Sequence, residues 1–193
     1  MSIRTILYIL LCAFIVTTAH AQTKPFRFEL QLNPGINFSQ IERTIIPDSG
    51  EYKSGGIVLT GRLIWHPDNE LGLGVEVGLI RLSSLRIFAD KVIPDNSVIQ
   101  LYAMPILGIA EFNVLGADVS GAIGVFNYNV FLGGTGLRSS SNEWEIGFGL
   151  GMGKAWSIGS NFMLGADTRY YRIPERDVST YMISGRVQYN LEY

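Results

Sequence analysis

The sequence has little of what catalytic, redox or nucleic-acid chemistry requires. Among its 193 residues there is one cysteine, Cys12, and there are two histidines, His20 and His66. A single cysteine excludes an intramolecular disulfide. The 15 basic residues are matched by 17 acidic ones, so there is no excess of positive charge for binding nucleic acid. The composition therefore points away from disulfide-stabilised scaffolds and from nucleic-acid-binding proteins.

Long apolar runs are also scarce, and the one pronounced run lies near the start. Residues 6–16 read ILYILLCAFIV, which is too short to cross a bilayer as a helix. This run follows Arg4 and precedes AHA at 19–21, which is the order of a basic segment, an apolar segment and a cleavage site in a secretory signal. We expect residues 1–21 to be a cleaved signal peptide and residues 22–193 to form one domain. An uncleaved membrane anchor is the alternative.

The rest of the chain alternates between apolar and polar residues with a period of two, which predicts β-strands with two different faces. Eight such stretches cover residues 26–39, 54–66, 71–83, 97–112, 117–130, 143–156, 161–173 and 178–193. Tight turns such as NVLG at 113–116 alternate with longer polar connections such as GGTGLRSSSN at 133–142. Short turns at one end and long loops at the other are typical of outer-membrane barrels. Because proline cannot donate to the ladder, we expect a bulge at Pro105.

Glycine occupies every second position from Gly147 to Gly153 in the segment WEIGFGLGMGKAW. A water-facing surface would favour Lys, Glu and Thr over a row of four glycines. The interior of an eight-stranded barrel is only just wide enough for side chains to fill, so glycine there leaves room for bulky neighbours. The pattern predicts that the glycine face looks into a crowded lumen and that the apolar face points outward. The alternative is a soluble, lipocalin-like barrel whose apolar face lines a cavity for an apolar ligand.

Three tryptophans, Trp65, Trp144 and Trp156, lie on the apolar face near predicted strand ends. Trp144 and Trp156 are separated by about 40 Å of strand at roughly 3.3 Å per residue. With a strand tilt of about 40° this distance projects to roughly 30 Å, which brackets an apolar band of about 25 Å. Since amphipathic rings favour the membrane interface, we predict that these residues form two aromatic girdles. Ordinary core tryptophans are the alternative.

Several charged residues lie, like the glycines, at the alternate strand positions that are predicted to point into the lumen. We call this placement inward parity. The charged residues with inward parity are Arg27, Glu29, Arg62, Glu76, Glu145, Asp167, Arg169, Arg186 and Glu192. Charges that are removed from water are costly unless they are paired. We therefore predict a charge network in the lumen, in which Glu76 and Glu145 neutralise some of the arginines. A selectivity lining or a proton path is the alternative.

The chain resembles the small outer-membrane β-barrels, among them the OmpX type, the OmpA transmembrane domain and the PorT-like porin-family barrels of the Bacteroidetes lineage. The resemblance rests on the signal peptide, the eight alternating strands, the one-sided long loops and the final strand RVQYNLEY. In that strand Val187, Tyr189, Leu191 and Tyr193 are similar to the C-terminal insertion signal of these barrels. The resemblance implies an all-β, eight-stranded, antiparallel up-and-down transmembrane barrel. It also implies location in the outer membrane of a Gram-negative bacterium and insertion by the barrel-assembly machinery.

The resemblance specifies the architecture better than the activity. We expect a non-enzymatic barrel without cofactor or metal, embedded in outer-membrane lipid, that acts through its extracellular loops. The loop SLRIFADKVIPDN at 84–96 mixes apolar and charged residues in a way that suits a protein partner. Surface interaction, envelope integrity or an accessory role in transport or secretion would fit such loops. A narrow pore for small solutes is the alternative.

An enzyme of the outer leaflet is a weaker hypothesis. The lipid A enzymes among small barrels use a histidine and a serine near that leaflet, whereas His66 ends a strand that runs toward the opposite side. We expect His66 to be solvated in its turn. Loop acids could at most form a weak cation site, since their spacing fits no defined calcium loop. These acids are Asp48, Glu51, Asp90 and Asp95.

Overall fold

A computed structural model describes residues 27–41, 50–67, 70–87, 97–133 and 140–192. The predicted signal peptide and Tyr193 lie outside the described residues. Within these ranges, no helix is long and apolar enough to cross a membrane.

The described residues form nine β-strands and one short helix. The strands are β1 Arg27–Ile41, β2 Gly50–Ser54, β3 Gly56–His66, β4 Leu71–Ile87, β5 Ser97–Val114, β6 Ala117–Gly133, β7 Ser140–Ser157, β8 Phe162–Ile173 and β9 Val178–Glu192. A 3-10 helix, Pro174–Arg176, connects β8 to β9.

The strands close into a barrel in which every neighbouring pair is antiparallel. From β4 to β8, each strand pairs with the one that follows it in the chain. β1 pairs with β9 on one side and with β3 on the other. Only Gly55 separates β2 from β3, and both pair with β4, so together they form one barrel strand. The barrel therefore has eight strands, as predicted, and the β4–β5 ladder closes the ring.

The junction between β2 and β3 requires glycine. Gly55 has a φ of +89°, in the left-handed region, and a Cβ there would lie 3.0 Å from the Cα of Phe38. The Gly55 amide donates to the carbonyl of Leu82, and the β4–β5 register shifts between Arg81 and Ser83. The barrel wall is therefore irregular at this level of β2, β3 and β4.

The bulge predicted at Pro105 is wrong in position. Pro105 pairs with Phe126 in an unbroken β5–β6 register. The paired positions of β4 and β5 skip Met104 and Pro105, and the register shift lies instead around Leu82. Because proline has no amide proton, a gap in the β4–β5 ladder is enough to accommodate it without an extra residue.

The two ends of the barrel differ. The tight-turn end contains the β3–β4, β5–β6 and β7–β8 connections, the start of β1 and the end of β9; the other end is the long-loop end. Strand limits at the tight-turn end agree with prediction, whereas several strands extend further at the long-loop end. For example, β4 continues to Ile87 rather than ending at 83, and β2 begins at Gly50, before the predicted strand start at 54. The sequence missed these extensions because residues beyond an apolar band need not alternate.

The apolar face of the barrel points outward and the polar face inward. In β1, Leu32 and Ile36 are 49% and 51% exposed, whereas Glu29 and Asn33 are buried. The same inversion holds along β3, β7 and β9. A soluble barrel would place these faces the other way round, so the arrangement is that of a transmembrane barrel.

The lumen contains a large apolar cluster in addition to the glycines and paired charges that the sequence predicted. Many of the lumen's buried side chains are apolar, although polar side chains such as Asn37, Ser39 and Thr180 are also buried toward the long-loop end. The buried cluster comprises Val58, Ile80, Leu82, Ala103, Leu107, Ile109, Ala122, Phe126, Tyr128, Tyr171, Ile173, Val178 and Met182. Strand β5 is apolar on both faces, so its alternation could not show which residues enter the lumen.

Candidate functional site in the lumen

Glu76 of β4 is the centre of a buried charge network. Its Oε2 accepts hydrogen bonds from Arg62 Nε at 2.7 Å and Arg169 Nη1 at 2.6 Å. Its Oε1 accepts one from the Tyr171 hydroxyl at 2.5 Å. One carboxylate of β4 thus binds a side chain of the neighbouring strand β3 and side chains of β8, which lies across the lumen from β4.

Asp167 of β8 is the second acceptor of this network. Its Oδ1 accepts from Arg62 Nη2 at 2.9 Å and Arg169 Nε at 3.1 Å, and its Oδ2 from Arg186 Nη2 at 2.7 Å. Arg186 also pairs with Asp118 at 2.5 Å. Three arginines therefore face three carboxylates, and the charges of the network balance.

The glycine row of β7 lies directly beside the largest side chains of the lumen. A Cβ at Gly149 would lie 2.9 Å from Tyr171 Cδ1, and one at Gly151 would lie 3.0 Å from Arg169 Cγ. At Gly147 it would lie 2.7 Å from a carbon of the Phe126 ring. These glycines provide the space that the aromatic and guanidinium groups occupy.

Three residues assigned to the network lie outside it, namely Glu145, Arg27 and Glu29, and the side chain of Glu192 lies outside the described residues. Glu145 is near the long-loop end and forms an ion pair with Arg176 of the 3-10 helix. It does not contact the three network arginines, so the predicted role for Glu145 is wrong. Arg27 lies at the tight-turn end, with its Nη2 3.7 Å from Glu29 Oε2. Inward parity places a side chain in the lumen, but it does not give its depth.

Sequence reasoning missed other members of the network. Asp118 begins β6 next to a tight turn, where an acid is ordinarily solvated, yet it pairs with Arg186. Gln31 accepts from Arg62 Nη1 at 3.0 Å, and Ser120 accepts from Arg169 Nη2 at 3.1 Å. Gln31 and Ser120 have the inward parity, so alternation in β1 and β6 was an available signal for both.

A second polar cluster lies at the tight-turn end of the lumen. His66 is 7% exposed and its Nε2 lies 3.0 Å from Glu29 Oε2. The expectation that His66 is solvated in a turn is therefore wrong, because β3 extends through it and directs its ring inward. Glu111 of β5 is buried in the same region.

Exposed aromatic side chains lie near both ends of the barrel's outer surface. Trp65 and Trp156 lie near the tight-turn end, and Trp144 lies near the long-loop end. All three are between 39% and 56% exposed. Other exposed rings accompany them, namely Phe28, Phe112 and Phe162 at the tight-turn end and Phe38, Phe131 and Tyr181 at the long-loop end. The girdles remain a prediction that this placement favours.

The C-terminal strand presents its predicted signal residues on the outer side. Val187 and Leu191 are exposed, and the Tyr189 ring packs on Phe162 with centroids 4.8 Å apart. Recognition of these C-terminal residues by the barrel-assembly machinery remains a prediction.

The geometry of the network indicates what it can do. Arg62, Glu76 and Asp167 are almost fully buried, and both carboxylates bind guanidinium groups from more than one residue. Such an arrangement cross-links strands and fills the lumen.

Comparisons with known proteins support the fold and no more. No model of a protein family matches the chain, and no curated protein matches it. The fold is similar to that of neisserial surface protein A, at 16% identity and a TM-score of 0.56, over 84% of this chain and 96% of that one. It is also similar to Ail, the attachment invasion locus protein of Yersinia pestis, at 14% identity and a TM-score of 0.54, over 86% and 98%. The chain therefore has the fold of the small outer-membrane β-barrels.

Proposed function

We propose that this chain is a non-enzymatic integral protein of the outer membrane, with a lumen closed by side chains and with its function in the extracellular loops. The observation that carries this proposal is the inverted barrel, in which apolar side chains face outward while arginines and carboxylates are buried. Lipid is the environment that stabilises such an outer surface.

Closure of the lumen follows from what fills it. The network around Glu76 and Asp167 occupies its middle. Above it, Phe126 and Tyr171 pack edge to face with ring centroids 5.8 Å apart. Charged and apolar side chains thus fill successive levels of the barrel, which argues against passage of solutes.

The loops are the part of the chain that the barrel would present to the exterior. With both termini on the periplasmic side, the segments 42–49, 88–96 and 134–139 connect strands at the extracellular end. Segment 88–96 combines Phe88, Val92 and Ile93 with charged residues, which suits contact with a protein partner. Ail has been solved in complex with the heparin analogue sucrose octasulfate. That complex supports the general proposal that a barrel of this fold binds external molecules.

Fractionation and conductance together test the proposal. We expect the protein in the outer-membrane fraction, with faster migration on a denaturing gel when unboiled than when boiled. In planar bilayers it should show no steady conductance. Recovery in the soluble fraction without a heat shift would favour the carrier of an apolar ligand, and a stable open conductance would favour the narrow pore.

A loop replacement tests where the function lies. In cells that lack the protein, a variant with residues 88–96 replaced by a short Gly-Ser turn should insert and keep the heat shift. It should nevertheless fail to restore the envelope integrity that the full chain restores to these cells. Full restoration would contradict a role for this loop.

A further inference from the structure

Three side chains with metal-binding atoms converge at the tight-turn end of the lumen. Glu29 comes from β1, His66 from β3 and Glu111 from β5. One donor atom of each lies within 4.8 Å of the other two, and all three residues are buried. β1 pairs with β3, and β5 lies on the far side of β4, so the registers of three ladders bring these residues together.

Gly72 allows the cluster to form. It pairs with Glu111 across the β4–β5 ladder, and its neighbour Leu73 pairs with Trp65 across the β3–β4 ladder. Gly72 thus lies between His66 and Glu111 in one row across the barrel wall. A Cβ at this position would lie 2.8 Å from His66 Cε1, so a side chain there would displace the imidazole.

A separate observation at Glu111 also points to a bound ligand. Its side chain is directed into the cluster, the residue is only 3% exposed, and its Oε2 has no hydrogen-bond partner among the described residues. A buried carboxylate oxygen without a donor is unfavourable. A bound cation would satisfy it.

The neighbouring groups leave a net negative charge in the cluster. Glu29 binds Gln31 and His66, and Arg27 approaches it only at 3.7 Å from the edge of the lumen. Arg62 and Arg186 are bound to Asp167 deeper in the lumen. Two carboxylates and one imidazole therefore face each other, and the cations nearby are bound elsewhere or partly exposed.

We propose that Glu29, His66 and Glu111 bind a divalent transition-metal ion of the Zn²⁺ class at the tight-turn mouth of the barrel. One imidazole nitrogen with two carboxylate oxygens is a ligand set that suits Zn²⁺, whereas Ca²⁺ takes six or more oxygens. Ligand atoms around Zn²⁺ at bond lengths of about 2.0–2.2 Å lie roughly 3.3–3.5 Å apart. Small side-chain rotations would bring the donor atoms to that spacing. The ion would join β1, β3 and β5 and close the lumen at that end.

Titration of the folded protein with Zn²⁺ tests the site. The mature chain is prepared without a histidine tag, folded in detergent and treated with chelator. We expect saturable 1:1 binding of Zn²⁺ by calorimetry, a rise in melting temperature, and no comparable rise with Mg²⁺ or Ca²⁺. Co²⁺ used in place of Zn²⁺ should give the visible absorption of a low-coordinate site.

Two variants and one matched control locate the binding. His66→Gln and Glu111→Gln should each weaken Zn²⁺ binding by at least about tenfold, since even outer-shell changes have effects of that size. Glu145→Gln removes another buried lumen carboxylate, at the opposite end, and should leave binding unchanged. Heat-dependent gel migration shows that each variant is folded.

The proposal would be overturned by folded wild-type protein that shows no saturable Zn²⁺ binding. Equal binding by wild type, His66→Gln and Glu111→Gln would also overturn it, because the ion would then be held elsewhere. The wild-type titration decides the question even if a variant does not fold.

Discussion

At the scale of single residues, the lumen depends on carboxylates that each serve several donors. Glu76 accepts from Arg62, Arg169 and Tyr171, so its removal would leave two buried guanidinium groups with Asp167 as their remaining shared carboxylate. A buried charge that has lost its partner is far more costly than a broken surface pair.

We therefore expect Glu76→Ala to lower the free energy of unfolding by about 3–5 kcal/mol. Urea unfolding of the protein in lipid vesicles, followed by tryptophan fluorescence, measures this change. The matched control is Glu51→Ala, which removes an exposed carboxylate 3.2 Å from Lys53 Nζ and should change stability by less than about 0.5 kcal/mol. Equal unfolding midpoints for the two variants would show that the network contributes nothing.

At the scale of elements, the inward face of β7 carries a row of glycines because large side chains of the neighbouring strands β6 and β8 fill the space in front of it. The Tyr171 ring is held by Phe126 and by its hydrogen bond to Glu76, so it has little freedom to move away from Gly149. A methyl group at Gly149 would compete for space already filled.

We expect Gly149→Ala to destabilise the barrel by about 1–3 kcal/mol through overpacking. Gly185→Ala is the matched control: Gly185 lies on the outer face of β9, and a Cβ there has no neighbour within 4 Å. That control should be neutral or slightly stabilising, since alanine restricts the unfolded chain. The comparison uses the same urea unfolding, and a Gly149→Ala variant as stable as wild type would mean that Tyr171 has room to shift.

At the scale of the whole molecule, the barrel has its apolar surface outside and its charges inside. Leu150, near the middle of β7, is 60% exposed, and Ile158, in the following turn, is 63% exposed. In water these two positions would tolerate a charge equally. In a bilayer their different depths would separate them.

We expect Leu150→Arg to reduce stability in lipid by about 2–4 kcal/mol and Ile158→Arg by about 0–1 kcal/mol. Folding efficiency and urea unfolding in vesicles measure both. If the two variants behaved alike and remained as stable as wild type, the outer face of β7 would not be the lipid-facing surface.

The sequence alone was sufficient to predict the number of barrel strands and which face of most strands points into the lumen. Alternation with period two is a local property, and in β1, β7 and β9 only one face is apolar, so parity predicted which side chains point inward. The glycine row of β7 then indicated a narrow lumen, since a water-facing surface has no need of it. Alternation failed where both faces are apolar, as in β5, and at the long-loop end, where β4 continues past its predicted limit.

Only the tertiary structure decided which inward residues meet. Asp118 and Arg186 are far apart in the chain, and their contact depends on the registers of the β6–β7, β7–β8 and β8–β9 ladders. Glu145 has the same parity as Glu76 but lies at a different depth, so it binds Arg176 instead of the network arginines. The burial of His66 beside Glu29 and Glu111 likewise depends on the register of the β1–β3, β3–β4 and β4–β5 ladders. The alternation of inward and outward side chains is a property of each single strand. The depth of a side chain in the lumen and the identity of its partners are set by the register between strands.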